Sequence, residues 1–290
     1  LLFTPSASLY LGTVPIPTAN IGSTRSSGID LMISFNETFG KSLKLNTSVT
    51  FTTAKNEVTA TNSDGTAKIP GGYYFNGQSQ SVTVFEKGQT PGYFYGFRTD
   101  GLFQTFADVT GHATQTGAQP GDIRYVDMNK DGVINNLDYY RYKSPEPTIV
   151  LGFNTAVSYE KWNFSTVLRA NFGNYMYNNI FSGNGVFQPG SQSFLNNVHR
   201  NYQETGFGTY QYFSDYYVEN ASFLRMDNFT VSYDFGKVFN NKANLRVTGN
   251  VQNVFVTSKY RGLDPEIAGG IDNNFYPRPR IFSLGANLEL

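Results

Sequence analysis

A run of oxygen-bearing side chains between residues 127 and 138 is the pattern in this sequence best suited to chemistry. The spacing matches a calcium-binding loop, in which carboxylate and amide oxygens alternate around a glycine that permits a sharp turn. The predicted ligands of a structural calcium ion are Asp127, Asn129, Asp131, the Val133 carbonyl, Asn135 and Asp138. Asp138 stands where a bidentate Glu is usual, so it reaches less far toward an ion. The alternative interpretation is an Asx-rich turn held by its own side-chain-to-backbone hydrogen bonds.

Aromatic residues in the irregular segments form a second candidate site. Rings with polar tips are suited to stacking against glycans or peptides. The candidate substrate-binding tyrosines are Tyr93, Tyr95, Tyr175 and Tyr177. Packing within the loops, or an aromatic girdle at a membrane interface, is the alternative role for each ring.

Arg169 completes the set of candidate substrate-binding residues because of its place in an alternating segment. The opposite face of that segment carries Trp162, Phe164 and Leu168. If the segment crosses a membrane as a strand, Arg169 points into the lumen, because a charge facing lipid costs about 2–4 kcal/mol at the midplane. There it either lines a pathway or pairs with another part of the protein that fills the lumen.

The composition excludes several classes of function. The chain of 290 residues balances 22 Lys and Arg against 22 Asp and Glu, which gives no electrostatic basis for nucleic-acid binding. It has no Cys, so disulfides and thiolate metal sites are impossible within it. We find no motif of a serine hydrolase, zinc protease, P-loop or dinucleotide-binding fold, and we expect no enzyme activity.

Segments in which apolar and polar residues alternate with period two predict an all-β protein. They come in pairs around tight turns, as antiparallel hairpins do. The predicted pairs are 28–36 with 43–54, 148–159 with 162–172, and 222–235 with 243–253, followed by a last strand at 280–290. Strands of about ten residues or more can cross a bilayer at a tilt. We expect them to pair in sequence order, with these residues facing lipid: Leu43, Leu45, Val49, Phe164, Leu168, Val247 and Leu284.

The connections between the predicted strands alternate between short and long. The long loops are 55–147, 173–221 and 254–279, and they are polar and rich in Gly, Asn and Tyr. Short turns at one end and long loops at the other are typical of outer-membrane β-barrels, whose long loops are extracellular. A helix is predicted at residues 194–203. The longest loop carries little apolar sequence of its own, so we expect it to depend on a cross-linking ion for order.

Four groups of residues form a set of motifs in a defined order. They are YFYGF (93–97) with DGLFQ (100–104), PGDIRY (120–125) with DMNKDGVI (127–134), YVENASFLRM (217–226), and NVF (253–255) with KY (259–260), LDPE (263–266) and YPRPR (276–280). As a set they resemble the signatures of the SusC/RagA family of TonB-dependent transporters, and the resemblance extends over most of the chain. Such transporters have a plugged barrel of about 22 strands.

The resemblance implies a fold, a location and partners. Residues 1–290 would be the C-terminal part of an antiparallel transmembrane β-barrel in the outer membrane, comprising about its last seven or eight strands. A SusD-like surface lipoprotein would close over the barrel, and TonB would act through an N-terminal part that this sequence lacks. The cargo would be an oligosaccharide or an oligopeptide. Family members usually end on an aromatic residue, whereas this sequence ends at Leu290.

Two other functions remain compatible with the residues. One is a soluble secreted β-domain whose dockerin-like calcium loop serves as a binding module. The other is a passive porin. Dependence on detergent for extraction would separate the barrel from the soluble domain, and an upstream plug would separate active import from a porin.

Overall fold

The computed structural model describes residues 2–3, 19–20, 22–61, 67–75, 81–183, 211–240, 242–273 and 276–289. The helix predicted at residues 194–203 lies outside these ranges. Within them, the two α-helices are short, Phe106–Thr110 and Asn179–Gly183. No helix in the described part of the chain is long and apolar enough to cross a membrane.

Seven long strands form one antiparallel sheet in which every strand pairs with its neighbours in sequence. They are β1 (Ser23–Phe39), β2 (Leu43–Ala60), β3 (Ile149–Tyr159), β4 (Trp162–Phe172), β5 (Phe223–Val238), β6 (Ala243–Ser258) and β7 (Ile281–Glu289). The predicted order of pairing is therefore confirmed. Tight turns close three hairpins at one end of the sheet, and the long connections leave from the other, which we call the long-loop end.

The sheet has one apolar and one polar face because opposed residues on neighbouring strands point the same way. Across its middle, Val49 opposes Phe153, Phe153 opposes Leu168, and Leu168 opposes Met226. The register places all the residues predicted to face lipid on this apolar face: Leu43, Leu45, Val49, Phe164, Leu168, Val247 and Leu284. The next row along the strands, on the polar face, pairs Ser48 with Asn154.

A β-bulge interrupts the ladder between β4 and β5. Leu168 pairs with Met226 and Val167 with Asn228, so Asp227 has no opposing residue on β4. A bulge inserts one residue and redirects a side chain. Here it brings the Asp227 carboxylate to the guanidinium of Arg169.

The observed strands are longer than the predicted ones at the long-loop end. β2 continues to Ala60, so residues 55–60 belong to the sheet and not to the predicted loop 55–147. β6 continues to Ser258, past the predicted start of the loop 254–279. The alternation of apolar residues ends at the polar sequence around Lys55 and Glu57. The backbone hydrogen bonds to β1 do not depend on that alternation, and the pairing continues to Ala60.

The long connections carry further structure and a hydrophobic core of their own. Short strands at Ile69–Pro70, Thr83–Phe85, Tyr93–Phe97 and Tyr139–Arg141 form a second sheet. We call the buried residues of this region the loop core: Phe75, Val82, Phe94, Phe97, Ile123, Tyr125, Tyr177, Phe181, Phe213 and Tyr217. We expected the longest loop to have too little apolar sequence to order itself, and this expectation is wrong. Its aromatic residues are scattered in the sequence but pack together in the folded structure.

Candidate functional site

Three arginines and three carboxylates meet on the polar face of the sheet, toward the long-loop end. We call this group the arginine–carboxylate cluster: Arg169, Arg225, Arg278, Asp227, Asp264 and Glu266. Arg169 lies on β4, Arg225 and Asp227 lie on β5, and the other three belong to the connection between β6 and β7. The cluster is balanced in charge, with three residues of each sign.

The contacts within the cluster are close, and both pairs that Arg169 makes are bidentate. Arg169 donates to both carboxylate oxygens of Asp227 and to both of Glu266, the latter at 2.6 and 3.1 Å. Arg225 donates from Nη2 to Asp264 at 2.6 Å, and its side chain is only 2% exposed. Arg278 contacts Asp264 at 3.0 Å and Glu266 at 3.2 Å. Paired guanidinium and carboxylate groups in this geometry form strong, directional hydrogen bonds.

The cluster changes the interpretation of Arg169. The residue is on the polar face, as its alternating strand predicts. Its guanidinium is already occupied by Asp227 and Glu266, so it ties parts of this chain together. Arg169 therefore holds β4 to β5 and to the connection between β6 and β7, and its contact with a substrate stays a prediction.

Residues 260–273 and 276–280 form a segment that we call the strap, which lies against the polar face. The arginine–carboxylate cluster binds the middle of the strap to the polar face of the sheet. Tyr260 Oη donates to Asp272 at 2.6 Å, and Asp272 N donates to the Tyr177 carbonyl at 3.0 Å. The strap therefore connects the sheet to the loop core.

A cleft of about 770 Å³ lies between the strap and the neighbouring loops. Its walls include Glu266, Ile271 and Arg278 from the strap, and Asn171 and Met176 from the segment at the end of β4. Gly270 presses against the Pro145 ring, where a Cβ atom would collide with it. The strap thus forms one side of the cleft, and Asn171 on the polar face of β4 contributes to another.

The structure separates the four candidate tyrosines into two groups. Tyr93 is 2% exposed and Tyr177 is fully buried. Tyr177 packs edge-on against Phe213 and donates to Asn179 at 2.8 Å, so its ring supports the loop core. Tyr95 and Tyr175 are only half-buried. Part of each of these two side chains is exposed and can contact a ligand.

Cationic side chains lie over both half-buried tyrosines. Lys68 Nζ is 4.6 Å from the Tyr95 ring centroid, and Lys143 Nζ is 5.6 Å from that of Tyr175. Tyr175 and Lys143, together with Arg141, line a second cleft of about 950 Å³ between the strand ends and the loop core. Burial raises the pKa of Tyr142 well above its ordinary value, so this neighbour stays neutral.

The predicted calcium loop is closed by its own hydrogen bonds. Asp127 accepts from the amides of Lys130 and Gly132 at 2.6 and 2.8 Å. Asp138 is fully buried and accepts from the amides of Met128, Asn129 and Asn135. In the described residues, no group of three or more acidic, His or Cys side chains is arranged to hold a metal ion. The observed geometry is that of an Asx-rich turn, and calcium binding stays a prediction of the spacing.

One residue of this loop is electrostatically distinct. The amide of Val133 donates to Asp131 at 2.9 Å. This hydrogen bond, with a smaller contribution from Asn129, holds the pKa of the Asp131 carboxyl below its ordinary value. Asp131 therefore remains a charged group at the surface, where a cation could reach it.

Sequence reasoning missed five members of the cluster. Only Arg169 was a candidate residue, because it is the single charged residue of an alternating strand. The motifs SFLRM (222–226), LDPE (263–266) and YPRPR (276–280) contain four of the missed residues. Their charges of opposite sign, in segments expected to approach one wall, were the available signal.

Comparison with known proteins gives consistent results. No family model matches the chain. The TonB-dependent receptor SusC of Bacteroides thetaiotaomicron is 32% identical over 94% of this chain and 27% of the receptor. The TonB-dependent receptor P3 of Formosa agariphila is 24% identical over 93% of the chain and 29% of that receptor.

Two solved structures with the same fold are of a RagAB system. The structure of the RagAB peptide transporter aligns with 100% of this chain and 32% of its own, with a TM-score of 0.75 and 21% identity. The RagAB peptide importer in an open-open state aligns with a TM-score of 0.72 and 20% identity. The chain thus spans about a third or less of the length of the proteins that it matches.

Proposed function

Because this chain belongs to the SusC/RagA family of TonB-dependent receptors, we propose that it is part of an outer-membrane importer of nutrients. The observation that carries the proposal is the 32% identity to a SusC receptor over 94% of the chain. The two-faced sheet agrees with it, since strands of a transmembrane barrel alternate between lipid-facing and lumen-facing residues. The relatives are receptors and transporters, and the proposal includes no catalytic step.

The apolar face of the sheet favours a membrane protein over the soluble secreted alternative. Ile29, Ile33 and Leu284 are 65%, 61% and 84% exposed, and they belong to a face that continues over seven strands. Soluble monomers rarely expose contiguous apolar patches larger than a few hundred Å². In the proposed barrel this face contacts lipid, and the polar face lines the lumen.

The proposed mechanism has three participants besides this chain. A SusD-like lipoprotein docks at the long-loop end and closes over the cargo. TonB acts through a part of the transporter outside this chain. The cargo is an oligosaccharide or oligopeptide that contacts Tyr95 and Tyr175 and then passes the cleft beside the strap, whereas Tyr93 and Tyr177 act through packing.

Uptake measurements test the import proposal. Cells lacking the full-length receptor gene are expected to lose at least about 90% of the uptake of one cargo class, labelled neutral oligosaccharides or labelled oligopeptides. Abolishing TonB function should have the same effect, because import is powered through it. The tagged receptor should be extracted only by detergent and should co-purify with a SusD-like lipoprotein.

Two outcomes contradict the proposal. Release of the receptor from cells without detergent supports the soluble binding module. Uptake of both cargo classes that is unchanged in the deletion strain removes the transport function. Restoration of uptake by the intact gene is the control that assigns the loss to this protein.

We also propose that the 127–138 loop binds calcium in a structural role, as its ligand spacing predicts. A ligand that binds only the folded state stabilises it, so calcium should raise the temperature at which the loop region opens. The double variant Asp127→Ala, Asp131→Ala should abolish this response, and Asp100→Ala, outside the loop, should retain it. A full-length receptor whose unfolding is unaffected by millimolar calcium would show that the loop is only a turn.

A further inference from the structure

Ion pairs hold the middle of the connection between β6 and β7 to the polar face of the sheet. Glu266 receives hydrogen bonds from Arg169 on β4 and contacts Arg278 at 3.2 Å and Arg225 at 3.6 Å. Three guanidinium groups thus converge on one carboxylate of the strap. A second strap carboxylate, Asp264, is shared by Arg225 and Arg278.

Burial makes these contacts consequential. The Arg225 side chain is 2% exposed, and Asp264 is 10% exposed at the side chain. Removing one partner of a buried ion pair leaves an uncompensated charge and is strongly destabilising, whereas an exposed pair contributes little. The exposed pair Arg246–Asp234 on the same sheet, at 3.4 Å and 54% and 39% exposed, offers a direct contrast.

Two other contacts fix the ends of the strap, one a neutral hydrogen bond and the other an ion pair. Asn253, which has a positive φ of 51°, donates to the Arg278 carbonyl at 2.9 Å. Arg261 contacts Glu219 at 2.9 Å, beside the loop core. These contacts fix where the strap begins and ends, and Asp272 fixes it to the loop core, so the position of the stretch between Asp264 and Ala268 depends on the cluster.

We propose that the arginine–carboxylate cluster is a clamp that holds the strap against the polar face and thereby sets the width of the 770 Å³ cleft. Glu266 is the central positioning residue because it joins β4, β5 and the strap. Releasing it frees the segment around Ala268, which forms one side of the cleft. The clamp itself follows from contacts within this chain, while its role in passage rests on the proposed import function.

Distance measurements on the full-length receptor test the clamp. This chain contains no Cys, so in a full-length receptor without other Cys, spin labels can be placed on Ala268→Cys in the strap and Asn154→Cys on the polar face of β3. Pulsed electron paramagnetic resonance should give one narrow distance distribution in the parent protein. In Glu266→Gln the distribution should become at least about twice as wide, since the charge shared by three arginines is gone.

Two further variants make the test specific. Arg246→Gln removes the exposed ion pair and should leave the distribution unchanged. The double variant Arg225→Met, Asp264→Leu removes a buried pair without leaving a lone charge, so it should fold even if Glu266→Gln does not, and it should also broaden the distribution. Parent-like widths in either folded cluster variant overturn the proposal.

The outcome is independent of transport. If the cluster variants show broadened distances but normal cargo uptake, the clamp exists and does not control the passage of cargo. Broadened distances in the cluster variants, together with unchanged uptake in the deletion strain, would contradict the proposed import function and leave the clamp intact. If the clamp sets the width of the cleft, Glu266→Gln should change the uptake rate of the largest transported cargo at least about two-fold more than that of the smallest.

Discussion

Replacing Phe75 by Ala is expected to open the loop core while the seven-stranded sheet stays paired. Phe75 is fully buried, and its ring lies 5.9 Å from that of Phe213 and 5.7 Å from that of Tyr217. Truncating a buried Phe to Ala costs about 3–5 kcal/mol through lost burial and the cavity left behind. Aromatic pairs add about 0.5–1.5 kcal/mol beyond burial. The loop core is a small cluster of rings. We therefore expect this loss of stability to exceed the free energy that keeps the core folded.

Hydrogen exchange read by mass spectrometry measures this effect in the full-length receptor. Amides of the strand Tyr93–Phe97 should lose protection, and amides of β3 and β4 should keep it. Tyr74→Ala is the matched control, because the adjacent Tyr74 side chain is 45% exposed. Equal loss of protection in the two variants would show that position 75 does not support the core. Loss throughout β3 and β4 would show that sheet and loop core unfold as one unit.

The large sheet was predictable because its physics is local. Alternation places Phe164 and Leu168 on one face and Arg169 on the other, and two-residue turns such as Glu160–Lys161 fix which strands are neighbours. These signals lie within about ten residues of each other in the chain. The β3–β4 hairpin accordingly has the predicted bounds to within one residue.

The bulge at Asp227 left only a weak trace in the sequence. Apolar residues on β5 step by two from Leu224 to Met226 and then by three to Phe229. The inserted residue is Asp227, and the bulge brings its carboxylate into contact with Arg169. A single irregular step in the spacing of apolar residues is common in strands. It therefore indicates a bulge only when the pairing with the neighbouring strand is known.

The cluster and the loop core depend on contacts between residues far apart in sequence. Arg169 and Glu266 are separated by 97 positions, and no periodicity links them. The tyrosines are equally ambiguous: Tyr175 and Tyr177 are two residues apart, yet the first is half-buried and the second is fully buried. Composition identifies such residues as aromatic, and only tertiary packing decides which rings remain available to a ligand.

Leu168→Arg is expected to impair folding of the receptor into a bilayer far more than Val167→Arg. The two residues are adjacent on β4, an 11-residue strand, and lie near its middle. Leu168 opposes Phe153 and Met226 on the apolar face, and Val167 opposes Asn154 and Asn228 on the polar face. The pair therefore compares the two faces at nearly the same depth.

The expected difference follows from the cost of placing a charge in hydrocarbon. An arginine facing lipid near the midplane of a transmembrane barrel costs about 2–4 kcal/mol, which is roughly a 30- to 700-fold change in the folding equilibrium. An arginine at position 167 faces the polar side, where water and the neighbouring amides solvate it, and should cost less than about 1 kcal/mol. Denaturant titration of the full-length receptor in lipid vesicles, read by heat-modifiable gel mobility, measures both values. Equal penalties for the two variants, or a larger penalty for Val167→Arg, would show that the apolar face does not contact lipid.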